Sequence, residues 1–423
     1  TWDDHDRSGR YTCRDFGQNY LNSMDAKGNP VIFTNGDNDT FPLWYNQETE
    51  GVRTDARVCN LSYLQTDWYI DQMRRPAYDS PSLPISWTRL QYVTGTREGI
   101  PVQPDALQQV IDYYKDSPED LKQMLGDNPY ELKNIIRHWV LNDNPDLQIF
   151  PTDSIVVTVD KEAVKRSGMM IAADSIPDVM HISLKGKRAI YKSEMMMLEM
   201  ISQANWERPL YMSTTVGPDN YGHLGDNFVQ EGLACRITPF DTKQSGRTID
   251  SERMYNNMMN KFKYGGLKEN PDIYLDETVI RMCYTHRRLF NQLAQQLLKE
   301  GQKDKALKVL QRAEEEIPGS IVPHEAFYGH SLELADAWLA LGHKAEAEKL
   351  LNAVGQNAKE YIEWYLSLNT QRLLQSSREC LMQIYILNDI AKTWEPIDKK
   401  KAETYRMEVN NYASRCHQRG MSL

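Results

Sequence analysis

The densest run of chemically capable side chains is Asn35-Gly36-Asp37-Asn38-Asp39-Thr40, directly after the short apolar run Val31-Ile32-Phe33-Thr34. Two aspartates in Asp-x-Asp spacing can present carboxylate oxygens to a hard cation such as Mg²⁺, Mn²⁺ or Ca²⁺, so Asp37 and Asp39 are the candidate metal ligands. The same residues also suit a purely structural job: Asp39 or Thr40 capping the next helix, with Asn35 and Asp37 closing Asx turns. The opening segment Trp2-Asp3-Asp4-His5-Asp6-Arg7 adds three carboxylates, an imidazole, an indole and a guanidinium. Packed over the strand ends it would build a metal, sugar or peptide site with Asp37 and Asp39; held by its own salt bridges it would be a polar arm. Arg53, Asp55, Asp67 and Trp68 flank a second apolar run and would complete either arrangement.

For nucleophilic catalysis the sequence offers little. There is no Gly-x-Ser-x-Gly, no His-Glu-x-x-His and no phosphate-binding Walker loop, and His138, His181, His223 and His324 stand alone. Clustered carboxylates at a helix start would repel a bare phosphate unless a metal or arginine stood between. The tyrosines and tryptophans, Trp44 and Trp68 among them, offer flat amphipathic faces for sugars or peptides and equally serve as packing. Met195, Met196, Met197 and Met200 read as core and not as a soft-metal site.

The elements that must position these groups follow from patterning. Val31–Thr34 and Arg57–Leu61 read as strands, and Phe41–Glu50, with Thr40 as N-cap, Pro42 in the first turn and Gly51 as stop, reads as the helix between them. Strand, helix, strand is the grammar of a parallel sheet, in which ligands gather outside the carboxyl ends of the strands. Leu107, Val110, Ile111 and Tyr114 mark one helix face and Ile135, Ile136, Trp139 and Val140 another. Ile155–Val159 and His181–Leu184 read as further strands, Ser193–Ala204 as a methionine-rich helix, and Arg208–Thr214 as the last strand before the Gly, Asn and Asp-rich stretch 217–227.

From about Asp276 the strand-like runs cease and Lys, Glu, Gln, Ala and Leu dominate. Gly301, Lys303, Ala306 and Leu310 recur as Gly342, Lys344, Ala347 and Leu351, 41 positions on. Small residues at such positions let paired helices approach closely, which is the device of tetratricopeptide-like (TPR-like) repeats. Two such hairpins are expected, followed by helices around 374–385 and 402–412. The fold class is therefore an α/β N-terminal domain, with a parallel or mixed sheet and flanking helices, over residues 1–275, followed by an all-α TPR-like domain over 276–423.

Composition narrows the function. Four hundred and twenty-three residues with 40% hydrophobic and 26% charged side chains can bury cores of more than one domain. A formal net charge of −10 argues against nucleic acid as a partner. No apolar stretch approaches the roughly 18 residues of a spanning helix, and the opening lacks Met, a basic stretch and an apolar run, so the chain is expected to be cut from something longer. Cysteines at 13, 59, 235, 283, 380 and 416 show no zinc or Cys-x-x-Cys spacing; most are expected to be buried hydrophobes, with one or two bridges open to an oxidising compartment.

Several stretches resemble one family: Trp2-Asp3-Asp4-His5-Asp6-Arg7-Ser8, Phe33 through Tyr45, Glu50 through Asp55, Asn60-Leu61-Ser62, Thr66 through Ile70, and Phe228 through Arg236. They resemble the C-terminal region of a bacterial membrane-protein family catalogued as a domain of unknown function, whose animal relative is an endoplasmic-reticulum protein O-mannosyltransferase. The likeness is strongest over residues 1 to about 75 and near 228–239, with Cys235 where relatives are expected to carry an aromatic. It implies a periplasmic, membrane-tethered region following an N-terminal transmembrane part of GT-C type that uses a lipid-linked sugar. It places the catalytic acid in that transmembrane part, so no catalytic residue is carried over. The implied role is binding or positioning of an acceptor polypeptide or glycan, with the chain's own transmembrane domain as partner; apart from the resemblance, the TPR-like tail would suit a protein partner. A metal-assisted transferase or hydrolase built on Asp37, Asp39, His5 and Asp4, and a pure interaction scaffold, are the alternatives.

Overall fold

The computed structural model describes residues 5–170 and 175–421. Two compact units emerge: Arg14–Lys263, and Thr1–Cys13 together with Tyr264–Leu423. Trp2, Asp3 and Asp4 lie outside the described residues.

In the first unit, α1 (Thr12–Ser23) precedes β1 (Val31–Thr34), which leads through α2 (Phe41–Glu48) to β2 (Arg57–Asn60). After β2 comes α3 (Asp67–Met73). β1 pairs in parallel with β2, Val31 opposite Arg57 and Phe33 opposite Cys59. On its other side β1 pairs in parallel with β7 (Leu210–Ser213), Val31 opposite Leu210. Strands β3 (Gly99–Pro101) and β6 (Ala189–Tyr191) form one small antiparallel pair, and β4 (Ser154–Thr158) and β5 (Val179–Ser183) another.

Arg208–Thr214 is not the last strand. β8 (Phe228–Gln230) and β9 (Ala234–Ile237) follow as a hairpin, and β9 pairs antiparallel with β7, so the five-stranded sheet is mixed, in the order β2-β1-β7-β9-β8. The hairpin turns at Gly232, where φ is +149° and a Cβ would stand 2.5 Å from the Ser23 hydroxyl, so only glycine fits.

Alternation along β1 divides its side chains between two faces. Val31 and Phe33 join the main core with Met195, Met196, Met197 and Leu198 of α4 (Lys192–Gln203), while Ile32, equally buried, lies outside that cluster. The methionines are core, as their spacing indicates.

The second unit is helical: α5 (Glu277–Lys299), α6 (Lys303–Glu316), α7 (Ser331–Ala340), α8 (Lys344–Ser367), α9 (Ser377–Trp394) and α10 (Lys399–Gln418). Consecutive helices pack as α5–α6, α7–α8 and α9–α10 hairpins. The 41-residue repeat has a structural basis. Gly301 and Gly342 carry φ of +75° and +83° at the two equivalent turns, and Ala306 and Ala347, equally far into the following helices, are fully buried. Among the described residues no helix is long and apolar enough to cross a membrane.

Candidate functional site

Thr34, Asn60 and Ser213 end the three parallel strands with hydroxyl and amide side chains, and the loop 35–40 lies across these ends. Asp39 is its keystone. Its Oδ2 accepts from Thr215 Oγ1 at 2.8 Å, Ser213 Oγ at 3.1 Å and the Asn35 backbone N–H at 3.3 Å. It thereby ties the end of β1 to the end of β7. Burial raises the Asp39 carboxyl above its ordinary value, against the pull of these donors. Tyr20 of α1 shares the network through Ser213 and Thr215, and burial pushes its hydroxyl up to about 12.

Thr40 occupies the N-cap position of α2 without making a side-chain cap. Its hydroxyl instead meets Thr34 Oγ1 at 2.8 Å and accepts from Asn60 Nδ2 at 2.9 Å, while the Asp37 carbonyl accepts from the Thr40 and Phe41 N–H groups. Two further loops close on Asn35: Ser62 Oγ donates to its Oδ1 at 2.6 Å, and its Nδ2 donates to Asn220 Oδ1 at 3.3 Å. Asp37 and Asn38 remain exposed at the rim.

An aromatic row continues from this polar patch. Phe41 stacks on Trp44 at 5.7 Å, Trp44 lies nearly parallel to Tyr63 at 6.2 Å and 7°, and Tyr63 meets Trp68 at 5.9 Å. Phe41 and Trp68 are about half exposed, at 46% and 50%, so the row has open ring faces. Asp67 begins α3 beside it; the Thr94 N–H donates to it and holds its carboxyl below the ordinary value, with Arg89 at 3.7 Å.

Arg53 and Asp55 serve the fold. Arg53 grips Asp55 through two bonds of 2.8 and 2.9 Å, and its remaining donors reach the carbonyls of Leu21 and Asp25 behind α1. These contacts satisfy carbonyls a helix end leaves open. His5, Asp6 and Arg7 belong to the helical unit, where Ser8 donates twice to Asp6. Among the described residues no cluster of three or more His, Cys, Asp or Glu side chains is arranged to hold a metal ion. Asp39, moreover, turns its carboxylate toward hydroxyl and amide donors, which is a hydrogen-bonded role.

Sequence reasoning passed over Ser62, Tyr63 and Asn220, although Asn60-Leu61-Ser62 follows a strand as the 35–40 loop does. It also treated His181 and His223 as solitary, whereas both line one cavity of about 700 Å³ with Asp226, 3.9 Å from the His223 ring.

Residues 13–257, more than half the chain, match the model of the family described as TMEM260-associated domain 2. The chain belongs to that family. No curated protein and no solved structure gave a significant match. The stretch matched to TMEM260-associated domain 2 contains the Asp39 network, the aromatic row and the 228–236 hairpin, and it relates the chain to TMEM260 proteins, in agreement with the resemblance carried by those motifs.

The helical unit holds a separate concavity of about 840 Å³, walled by Tyr284, Phe327, Tyr328, Tyr361, Tyr365 and Met382.

Asp39→Ala is expected to destabilise the α/β unit by about 2 kcal/mol, because three donors lose a buried acceptor. Urea unfolding followed by tryptophan fluorescence measures it; a change below about 0.5 kcal/mol would show that the network does not depend on Asp39.

Proposed function

We propose that this chain is the extracytoplasmic, acceptor- or glycan-positioning part of a membrane-bound protein glycosyltransferase of the O-mannosyltransferase kind. The chemistry resides in the enzyme's N-terminal transmembrane domain, and the present chain, tethered to the membrane by it, lacks a catalytic group of its own. One observation carries this reading: an amide, hydroxyl and carboxylate rim formed by Asn35, Asp37, Asn38 and Ser62 runs directly into the ring faces of Trp44, Tyr63 and Trp68. Sugars present both characters at once, hydroxyls for amides and carboxylates, and C–H faces for aromatic rings. The position, outside the carboxyl ends of parallel strands, is where α/β sheets bind ligands. The family relationship to TMEM260 proteins points the same way.

The test is a nitrogen-15 NMR titration of the whole chain with methyl α-mannoside and with a mannosylated serine/threonine peptide. Shifts are expected at 35–40 and 60–68, and Trp68→Ala, a surface change, is expected to weaken binding roughly tenfold, equivalent to about 1.4 kcal/mol of stacking. Absence of binding to both probes, or equal binding by the variant, rejects the reading. A second reading, recruitment of a protein by the helical tail, draws support from the tyrosine-walled concavity. Peptide binding that survives Trp68→Ala and is lost in Tyr361→Ala would favour it.

A further inference from the structure

Cys380 lies in the first turn of α9 and Cys416 in the last turn of α10. Both are fully buried, and their sulfurs stand 3.9 Å apart as free thiols. α9 and α10 are joined by a short turn at one end of their hairpin; the two cysteines face each other at the opposite, open end, five residues before Met421. A covalent tie there would restrain the part of the hairpin that its turn restrains least.

We propose that Cys380 and Cys416 form a disulfide that closes the α9–α10 hairpin when the protein matures in an oxidising compartment. The geometry itself is independent of the function proposed above. The reaction is thiol–disulfide exchange with a small or protein-borne disulfide. The Cys380 thiolate attacks one sulfur of glutathione disulfide, whose S–S bond breaks and releases one glutathione thiolate. The Cys416 thiolate then attacks the Cys380 sulfur of the mixed disulfide and expels the second. Two protein S–H bonds are lost and one S–S bond forms, one glutathione S–S bond is broken, and the two protons are taken up through solvent by the two departing glutathione thiolates, so one glutathione disulfide is reduced to two thiols. Both sulfurs are shielded in the folded hairpin, so exchange takes place as the hairpin closes. The sulfurs must then approach by nearly 2 Å to reach the bonding distance of about 2.05 Å, a movement within reach of side-chain rotation.

The full chain is refolded in a glutathione redox buffer, quenched with acid, and its intact mass compared with that of the reduced protein. The expected product is lighter by the two hydrogens and yields, on digestion without reductant, one cross-linked peptide containing Cys380 and Cys416. Reducing it is expected to lower the melting temperature of the helical unit by on the order of 10 °C, as for closure of a loop of this length. Cys380→Ser and Cys416→Ser, each tested alone, should lose the cross-link. Recovery of both thiols as alkylated cysteines from protein folded under oxidising conditions overturns the proposal, as does a cross-link that pairs either one elsewhere. The mass measurement on the unsubstituted chain stands whether or not the variants fold.

Discussion

Arg236→Ala is expected to remove about 3–5 kcal/mol of stability from the α/β unit at pH 8. Arg236 is only 1% exposed on β9, a strand with neighbours on both sides. Its guanidinium lies 3.3 Å from Asp25 and 3.8 Å from the wholly buried Glu231, donates to the Ser167 carbonyl at 3.2 Å, and sits over the Tyr211 ring at 5.8 Å. Removing it leaves Glu231 with Arg253 as its remaining cation, 3.6 Å away, and a carboxylate so placed has no water to turn to. Lysine is not expected to rescue, because a single ammonium cannot reach those oxygens from one planar fork. Urea denaturation measures the loss; a deficit under about 1 kcal/mol would mean that Arg236 is not holding the cluster together. The double variant Arg236→Met/Glu231→Gln should lie closer to the parent than the single arginine variant, since it removes both charges.

The second large effect is a pH dependence centred on Glu231. Burial pushes its carboxyl from the ordinary 4.5 up to about 7, against the pull of Arg236 and Arg253 and the hydrogen bond from Tyr211. Between those two values the folded chain keeps a proton that the unfolded chain has released. The contribution is therefore complete below about pH 4.5 and is lost as pH rises through about 7. Its size is about 3 kcal/mol, from the 1.36 kcal/mol that each unit of displacement carries. Denaturation curves between pH 4.5 and 8 should show the decline in the parent, and Glu231→Gln should flatten it. A decline of equal size in the glutamine variant would assign the titration to another group. The Arg236→Ala deficit should likewise be smaller at pH 5 than at pH 8, because a protonated Glu231 asks less of its arginine.

How much of this was legible depends on how local each feature is. β1 and β2 were readable because Val31–Thr34 and Arg57–Asn60 are compact runs with turn residues beside them. The repeat at Gly301 and Gly342 was readable because one turn chemistry is used twice. β8 and β9 escaped because the strands have three and four residues, and Gln230, Cys235 and Arg236 interrupt any apolar alternation. The Arg236 side chain makes sense only beside Tyr211, its partner across the β7–β9 pairing, and Asp25, 211 residues earlier in the chain.

At the site, the acidic loop was found by its composition, but its partners were not. Ser213, Thr215 and Asn220 reach Asn35 and Asp39 across more than 170 residues, and nothing local marks them. Arg53 and Asp55 suit a ligand site or a salt-bridged arrangement equally well in sequence; in the structure Arg53 bonds Asp55 and the carbonyls of Leu21 and Asp25 behind α1.

The place of β1 between β2 and β7 has a consequence for how the chain acquires its fold. β2, its first partner, follows within about thirty residues, but the other edge waits for β7 at Leu210–Ser213. Pairings this distant carry a large loop-closure cost and slow the rate-limiting step of folding, whereas the helical hairpins rely on neighbours in sequence. During synthesis, therefore, Val31-Ile32-Phe33 emerges as an open, wholly apolar strand edge and stays so until Ser213 has been made. Any nascent chain halted between β2 and β7 presents that edge to its neighbours, which makes the interval from 61 to 209 the stretch over which aggregation competes with folding.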